Sequence, residues 1–307
     1  MRRVGVEPDT DARRTALCVP ASVPRFVERA RKLPVDMVIL DLEDSVVPAL
    51  KNHARSAAAT ALADDDWQAP LRAVRINAPD SPWVDDDLTG LGPCMSRLTE
   101  IVVPKVHTIE QLDRLSSRLA CIEEEFGRQG RPVGFHIQVE DAAGLLSVDQ
   151  TAAHPRVTTL AFGPVDYAAS LGLRNRGTGH SESQAHSAAY DHGLMRMLVA
   201  ARAHDKFALD GPCIDIRNTN ELARSCEHSA ALGLDGKWIL HPDQLDATRL
   251  AFTPSKSEVA HAKSVMAALH TAEGHTPVAG AAIVDGKMVD EATLRHAQRL
   301  LARAGMH

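Results

Sequence analysis

The stretch "VPASVPRF", residues 19–26, decides the fold. It leaves an apolar run, "ALCVP" (16–20), and opens "VPRFVERARKL" (23–33), whose apolar residues recur at helical spacing. A strand running into a helix is the first unit of an α/β chain. An open, doubly wound sheet usually carries a glycine-rich phosphate turn at this junction. These residues contain no glycine. A closed parallel barrel makes no such demand, and that tips the reading to the barrel.

Working outward, seven further apolar runs of strand length follow: "DMVILDLED" (36–44), "LRAVRIN" (71–77), "EIVVPKV" (100–106), "GFHIQVE" (134–140), "TTLAFGP" (158–164), "FALDGPC" (207–213) and "GKWILHP" (236–242). Helical segments such as "TIEQLDRLSSRLACIEEEF" and "GLMRMLVAARAHD" lie between them. Alternation of this kind implies a parallel sheet, and eight strands close a (β/α)8 TIM barrel. The 307 residues, 44% hydrophobic and 24% charged, suffice for such a core.

Net charge is −6, with pI near 6.2, which argues against a nucleic-acid or anionic-membrane partner. No apolar run approaches the roughly 20 residues that span a bilayer. The charged N-terminal stretch has no apolar segment behind it to make a signal peptide. Five irregularly spaced cysteines, with no CxxC pair, fit neither a disulfide framework nor a zinc site. The expectation is a soluble cytoplasmic protein. Past the eighth run the pattern changes. "TPSKSEVAHAKSVMAALHTA" reads as a helix, "EGHTPVAG" (273–280) as a loop, "AAIVDGKMVD" as a hairpin turning at Asp-Gly, and "EATLRHAQRLLARAG" as a last helix. The division is therefore a barrel over residues 1–252 and a helical and hairpin extension over 253–307, covering the barrel mouth or an adjacent subunit.

Barrel active sites sit at the C-terminal ends of the strands. Here those ends carry Asp41, Glu43 and Asp44; Arg75 and Asn77; Lys105; Glu140 and Asp141; Asp166; Asp210; and His241. Alternation along a strand places Asp41 with Glu43, Arg75 with Asn77, and His136 with Gln138 and Glu140. Glu140 and Asp166 end neighbouring strands. They make either a hard-oxygen site suited to Mg²⁺ or two helix caps. Arg75 is either a structural partner of the acidic group on the adjacent strand or a fixed charge for a substrate anion, and these roles are compatible. Lys105 offers a Schiff-base amine or an ion-pair partner. His241 reads as a cap and His136 as a core histidine.

Nine motifs in order, "DLEDSVVPALKNHAR", "VRIN", "IVVPKV", "VEDAAGL", "FGPVDYAASLG", "LDGPCIDIRN", "GLDGKWILHPDQL", "FTPS" and "DGKMVD", resemble the citrate lyase β-subunit-like proteins of the HpcH/HpaI aldolase superfamily, which include malyl-CoA and citramalyl-CoA lyases. The resemblance implies a TIM-barrel carbon–carbon lyase using Mg²⁺. Such an enzyme cleaves or forms a 3-hydroxyacyl-CoA such as malyl-, citramalyl- or citryl-CoA, with an acyl-CoA and a 2-oxo acid (glyoxylate, pyruvate or oxaloacetate) on the other side. It implies Glu140 and Asp166 as metal ligands, Arg75 as the substrate arginine, and Asp41 and Glu43 as groups ordering that arginine and metal-bound water. Pro164, Val165 and Asp166 would line the substrate carboxylate. Asp290 would be an acid–base group supplied from the C-terminal segment of a neighbouring subunit in a homo-oligomer, a trimer or hexamer. A thioesterase or malate-synthase-like activity, and a citryl–carrier-protein lyase subunit, stay open as alternatives. "CVPAS" stands where the family usually has "FVPG", and the segment 174–193 departs from the family's commoner wording.

Overall fold

The computed structural model describes residues 12–173, 184–272 and 281–304. The charged stretch 1–11, half of the segment 174–193 and the loop 273–280 lie outside the described residues. In chain order the elements are β1 (Thr15–Pro20), α1 (Pro24–Arg31), β2 (Met37–Asp41), α2 (Lys51–Ala63), β3 (Leu71–Arg75), α3 (Val84–Gly90), β4 (Glu100–Val103), α4 (Ile109–Glu125), β5 (Gly134–Val139), α5 (Ala142–Ala153), β6 (Val157–Phe162), α6 (Pro164–Ser170), α7 (Gln184–Ala203), β7 (Phe207–Asp210), α8 (Thr219–Leu232), β8 (Gly236–Ile239), α9 (Leu245–Phe252), α10 (Lys256–Ala272), β9 (Ala281–Val284), β10 (Lys287–Asp290) and α11 (Glu291–Arg303).

Strands β1 to β8 pair in parallel in sequence order, and β8 returns to β1 to close the barrel. The (β/α)8 expectation is therefore met. Each strand begins where its apolar run begins, within a residue. Most end two to three residues earlier than the run, β2 at Asp41 and β3 at Arg75, while β5 ends one residue early and β1 ends with its run at Pro20. Polar residues past those points belong to the loops of the mouth.

Alternate residues turn inward. Ala16 and Cys18, Met37 and Ile39, Leu71 and Ala73, Val102, Ala161, Leu209 and Trp238 fill the interior as one buried cluster. One polar group is embedded in this filling. Glu100 accepts from Arg13 at 2.8 Å and meets His136 Nδ1 at 3.2 Å, and the Trp238 indole N–H lies 3.3 Å from His136 Nε2. An indole nitrogen only donates, so Nε2 is the acceptor and Nδ1 carries the proton toward Glu100. His136 is a satisfied core residue, as its mid-strand position suggests.

The described chain divides into two compact units, Arg13–Arg249 and a second from Leu250 onward. In the second, Ala262 and Val265 of α10, Val284 and Val289 of the hairpin and Ala297 of α11 form a small core. Asp285 and Gly286 turn the hairpin with φ of 50° and 74°. Positive φ at both central residues is what the Asp-Gly signal demands. Ser255 caps α10, its hydroxyl accepting from Glu258 N at 3.2 Å. Among the described residues no helix is long and apolar enough to cross a membrane.

Candidate active site

Asp41 and Arg75 end adjacent strands in register. Their side chains meet edge to edge inside the mouth, with Nε–Oδ1 2.6 Å and Nη2–Oδ2 2.7 Å, and both are buried. The same carboxylate accepts from the Glu43 and Ser45 amides and the Ser45 hydroxyl. Burial alone pushes its pKa up, but the Arg75 guanidinium and these donors outweigh it and hold the carboxyl at about 2. Below the guanidinium lies the Trp238 ring, 5.8 Å from Cζ to centroid.

The third edge of Arg75 is shared. Nη1 faces Gln138 Oε1 at 3.3 Å, and Glu43 and Asp44 at 3.5 Å each. Gln138 in turn donates to Glu140 Oε2 at 2.5 Å. Asp41, Arg75, Gln138 and Glu140 thus form one chain of polar contacts across β2, β3 and β5. Lys105, just past β4, closes the ring. Its ammonium sits 2.6 Å from Glu43 Oε1 and its backbone N–H donates to Glu140 Oε1 at 3.2 Å.

Glu140 is fully buried, and its carboxyl is raised well above the usual range, by burial first and also by the Asp166 charge. Asp166 is half-buried in the first turn of α6. Among the described residues no ammonium or guanidinium lies within ion-pair distance of either one. The strand end that faces them is cut to fit. A Cβ on Gly163 would fall 2.3 Å from Glu140 Cβ and 3.1 Å from its Oε2. The pair fits a hard divalent cation such as Mg²⁺, which takes one or two carboxylates and completes its shell with water and substrate oxygens. No group of three or more His, Cys, Asp or Glu able to hold a metal occurs among the described residues, so a closed zinc-type site is not formed there.

Several strand-end residues lie elsewhere. Asn77 does not join Arg75. Because β3 ends at Arg75, alternation stops there, and Asn77 turns to Asp87 and to the Lys51 ammonium. Asp210 points out of the barrel to Lys237, Ser229 and Tyr190, since Leu209 takes the inward position. Asp141 caps α5 and pairs with His107 at 2.7 Å, so the cap in this motif is Asp141 and not Glu140. His241 caps the turn after β8, its ring accepting from Asp243 N. Lys105 carries a raised pKa because Glu43 stabilises its charged form against the opposing effect of burial, which is the opposite of a Schiff-base amine.

Two contributors escaped sequence reasoning. One is the bridging role of Gln138. The other is Lys51, whose buried ammonium donates to Leu42 O, Glu43 O and Asn77 Oδ1 at 2.6–2.8 Å and pins the acidic loop. The signal for Lys51 was present. Lys51, Ala54, Arg55, Ala58 and Leu62 share the buried face of α2, where an unexplained lysine calls for partners.

Beside Arg75 and Asp41, toward β1 and β8, opens a cavity of about 370 Å³. It is walled chiefly by Leu17, Cys18, Val19, Phe26, Ile216 and Leu240. Burial pushes the Cys18 thiol up to about 12, so it is an apolar wall and not a nucleophile.

Residues 14–242 match the HpcH/HpaI aldolase/citrate lyase family. The chain belongs to that family. It is thereby an enzyme of the lyase class. An L-malyl-CoA/beta-methylmalyl-CoA lyase of Cereibacter sphaeroides (strain ATCC 17025 / ATH 2.4.3) is 33% identical over 315 aligned positions, covering 99% of this chain and 98% of its own. A (3S)-malyl-CoA thioesterase of Cereibacter sphaeroides (strain KD131 / KCTC 12085) is 33% identical over 291 positions, 95% of this chain and 94% of its own. Among solved structures, CitE from Mycobacterium tuberculosis, in complex with magnesium, acetoacetate and coenzyme A, superposes with a TM-score of 0.74 at 30% identity, over 96% of this chain and 99% of that one. Family membership accounts for the ordered motifs, and the mouth of this HpcH/HpaI barrel is where Asp41, Glu43, Arg75, Lys105, Gln138 and Glu140 meet.

Proposed function

We propose that the protein is a Mg²⁺-dependent carbon–carbon lyase that cleaves, or forms, a 3-hydroxyacyl-CoA such as malyl-, citramalyl- or citryl-CoA, with an acyl-CoA and a 2-oxo acid as the other partners. The observation that carries this reading is the buried Glu140, paired with Asp166 and linked through Gln138 to an arginine clamped by Asp41. Relatives named as malyl-CoA lyase and a neighbour described with magnesium and coenzyme A support it.

Glu140 and Asp166 would hold the ion, whose contribution is Lewis-acid charge for the carboxylate and hydroxyl of the substrate. Val165 and Asp166 offer backbone amides for that carboxylate at the start of α6, where Pro164 has no N–H to give. Arg75, fixed on two edges by Asp41, holds the negative charge that develops on the thioester oxygen as the carbon–carbon bond breaks. Asp41 and Glu43 keep the guanidinium aimed. The apolar cavity toward β1 and β8 takes the thioester arm. Asp290, supplied from the C-terminal segment of a neighbouring subunit in a homo-oligomer, would move the proton at the α-carbon of the acyl-CoA. In the described geometry it caps α11, and the Thr293 amide and hydroxyl hold its carboxyl below the usual range. Release of that cap would restore its basicity.

Screening the purified protein against malyl-, citramalyl- and citryl-CoA with and without Mg²⁺, and following 2-oxo acid release, tests the reading. Glu140→Ala and Asp166→Ala should each lose the metal-dependent rate. An undiminished Mg²⁺ response in both would sink the metal assignment. Hydrolysis is the second reading, favoured by the thioesterase of equal identity. It predicts free CoA without a 2-oxo acid. A requirement for an acyl-carrier protein would point to the citrate lyase subunit instead.

A further inference from the structure

Lys105 is out of place by backbone conformation. Among the described residues three non-glycine positions have positive φ: Lys105 at 53°, Asp205 at 55° and Asp285 at 50°. Aspartate tolerates this region, and Asp285 turns a hairpin. A lysine in left-handed backbone is strained without such a local reason, and strain of this kind persists where surrounding contacts over-determine it.

Those contacts run two ways from one residue. The turned backbone aims the Lys105 N–H at Glu140 Oε1, 3.2 Å away. It also sends the side chain across the mouth, so that Nζ lies 2.6 Å from Glu43 Oε1 and 3.9 Å from Asp44 Oδ1. Glu43 has a second suitor. Its other oxygen is 3.5 Å from Arg75 Nη1, which is itself 3.3 Å from Gln138 Oε1. The short bond to Lys105 keeps Glu43 from capturing Nη1. The arginine edge is then left to Gln138, and through it to Glu140.

We propose that Lys105 is a positioning residue that sets Arg75 by restraining Glu43 while its backbone orients Glu140. Without the ammonium, Glu43 keeps the Asp44 amide on Oε2 and turns its charge to Nη1. With Nε and Nη2 still held by Asp41, Nη1 is drawn toward Glu43 and away from Gln138, and the link through Gln138 to Glu140 is broken at its arginine end. The ammonium also acts as a positive charge on Glu140, which would hold Mg²⁺, from beyond ion-pair distance. Its removal lifts a repulsion from the incoming ion, so the effects on metal binding and on turnover have opposite signs.

The turnover arm rests on the lyase reading; the metal arm does not. The experiment uses the full chain and the variants Lys105→Met, Lys105→Arg and Lys105→Gly, with Mg²⁺ titrated by calorimetry and kcat and KM measured on whichever CoA thioester the parent cleaves. Lys105→Met is expected to bind Mg²⁺ as tightly as the parent or a few-fold tighter, while kcat falls roughly tenfold to a hundredfold at near-constant KM, the scale of a reacting group misplaced by about 1 Å. Lys105→Arg should recover a large part of kcat. Lys105→Gly should match Lys105→Met in kcat yet melt no lower, because glycine adopts this φ without strain. Mg²⁺ affinity falling in step with kcat, or kcat within twofold of the parent, overturns the proposal. A parent that binds Mg²⁺ but releases no 2-oxo acid from any of the CoA thioesters refutes the lyase reading instead, and the opposite-sign test then stands on the titration alone: weaker Mg²⁺ binding in Lys105→Met overturns it.

Discussion

Asp41→Asn is the sharpest probe of the mouth. The carboxylate accepts five bonds: two from Arg75, two from the Glu43 and Ser45 amides and one from the Ser45 hydroxyl. An asparagine offers one acceptor oxygen and an NH₂, so donors must face donors on one edge. The guanidinium loses its main counter-charge, although Glu43 and Asp44 remain at 3.5 Å. The magnitude has two sources that agree. The distance between a carboxyl at about 2 and its usual 3.8, at 1.36 kcal/mol for each tenfold, is worth roughly 2.5 kcal/mol. Removing one partner of a buried pair costs about 3–5 kcal/mol, less here because two other carboxylates stand by. A loss of about 2–4 kcal/mol lowers the melting temperature by roughly 5–15 °C. The pH dependence has a definite sign. A carboxyl held below its usual value in the folded state stabilises fully above about pH 4, and that stabilisation is lost as pH falls toward 2. The gap between parent and variant should be constant from pH 8 to 5, and about half of this carboxyl's share should be gone at pH 3. Thermal melts at pH 7 and pH 3 read it directly. Melting temperatures within 2 °C of each other at pH 7, or a gap that does not change with pH, would refute the reasoning.

Gly163→Ala places a methyl 2.3 Å from Glu140 Cβ on a strand end that cannot yield, so calorimetry should show Mg²⁺ affinity down at least tenfold with a stability loss of about 1–3 kcal/mol. Asp290→Asn should abolish exchange of the acyl-CoA α-protons with solvent, read by NMR, and leave Mg²⁺ binding unchanged; normal turnover removes Asp290 from the chemistry. Glu100→Gln strips the counter-charge from Arg13 in the barrel interior and should cost about 3–5 kcal/mol in urea unfolding while folded enzyme keeps its kcat. Because Arg13 and His136 hold the Glu100 carboxyl below its usual range, that difference should shrink in acid and persist at neutral pH.

The barrel was legible because each strand is an apolar run and the first junction lacks the glycines of its rival. Strand ends were less legible. "AVRIN" continues to read as strand through Asn77, yet the ladder stops at Arg75, and the Ile76 amide makes one more bond to Val102 O before the chain leaves. Alternation projected past that point put Asn77 on the wrong side. The same applies to Asp210, where parity within β7 was decided by Leu209 packing inward and not by the polarity of the end residue. His136 and Arg75 sit beside Glu100 and Asp41 because each has a partner of opposite character on the neighbouring strand, whereas Lys105, left open between amine chemistry and an ion pair, reaches past β3 to Glu43. Gln138 was named but not weighed, since a neutral side chain gives no charge signal, and its value lies in touching both Arg75 and Glu140.

The acidic end of "MVILDLEDSV" also makes sense only as part of a balance. Asp41, Glu43, Asp44, Glu140 and Asp166 bring five carboxyl groups to one mouth, against Arg75, Lys105 and the Lys51 ammonium behind the loop. The cations are unevenly spent. Arg75 and Lys105 are bonded to the β2 side, where Asp41 is accordingly driven down to about 2. On the β5–β6 side Glu140 receives, among the described residues, an amide from Gln138 and the Lys105 backbone N–H but no ion pair, and its carboxyl is driven up. Two carboxyl groups in one site pushed in opposite directions have different tasks. The compensated one is scaffolding for the arginine. The uncompensated one, with Asp166, is where, on the proposed reading, a divalent cation would balance what the protein's own lysines and arginine leave over, and this supports placing the metal on β5 and β6 even though three carboxylates stand at the end of β2.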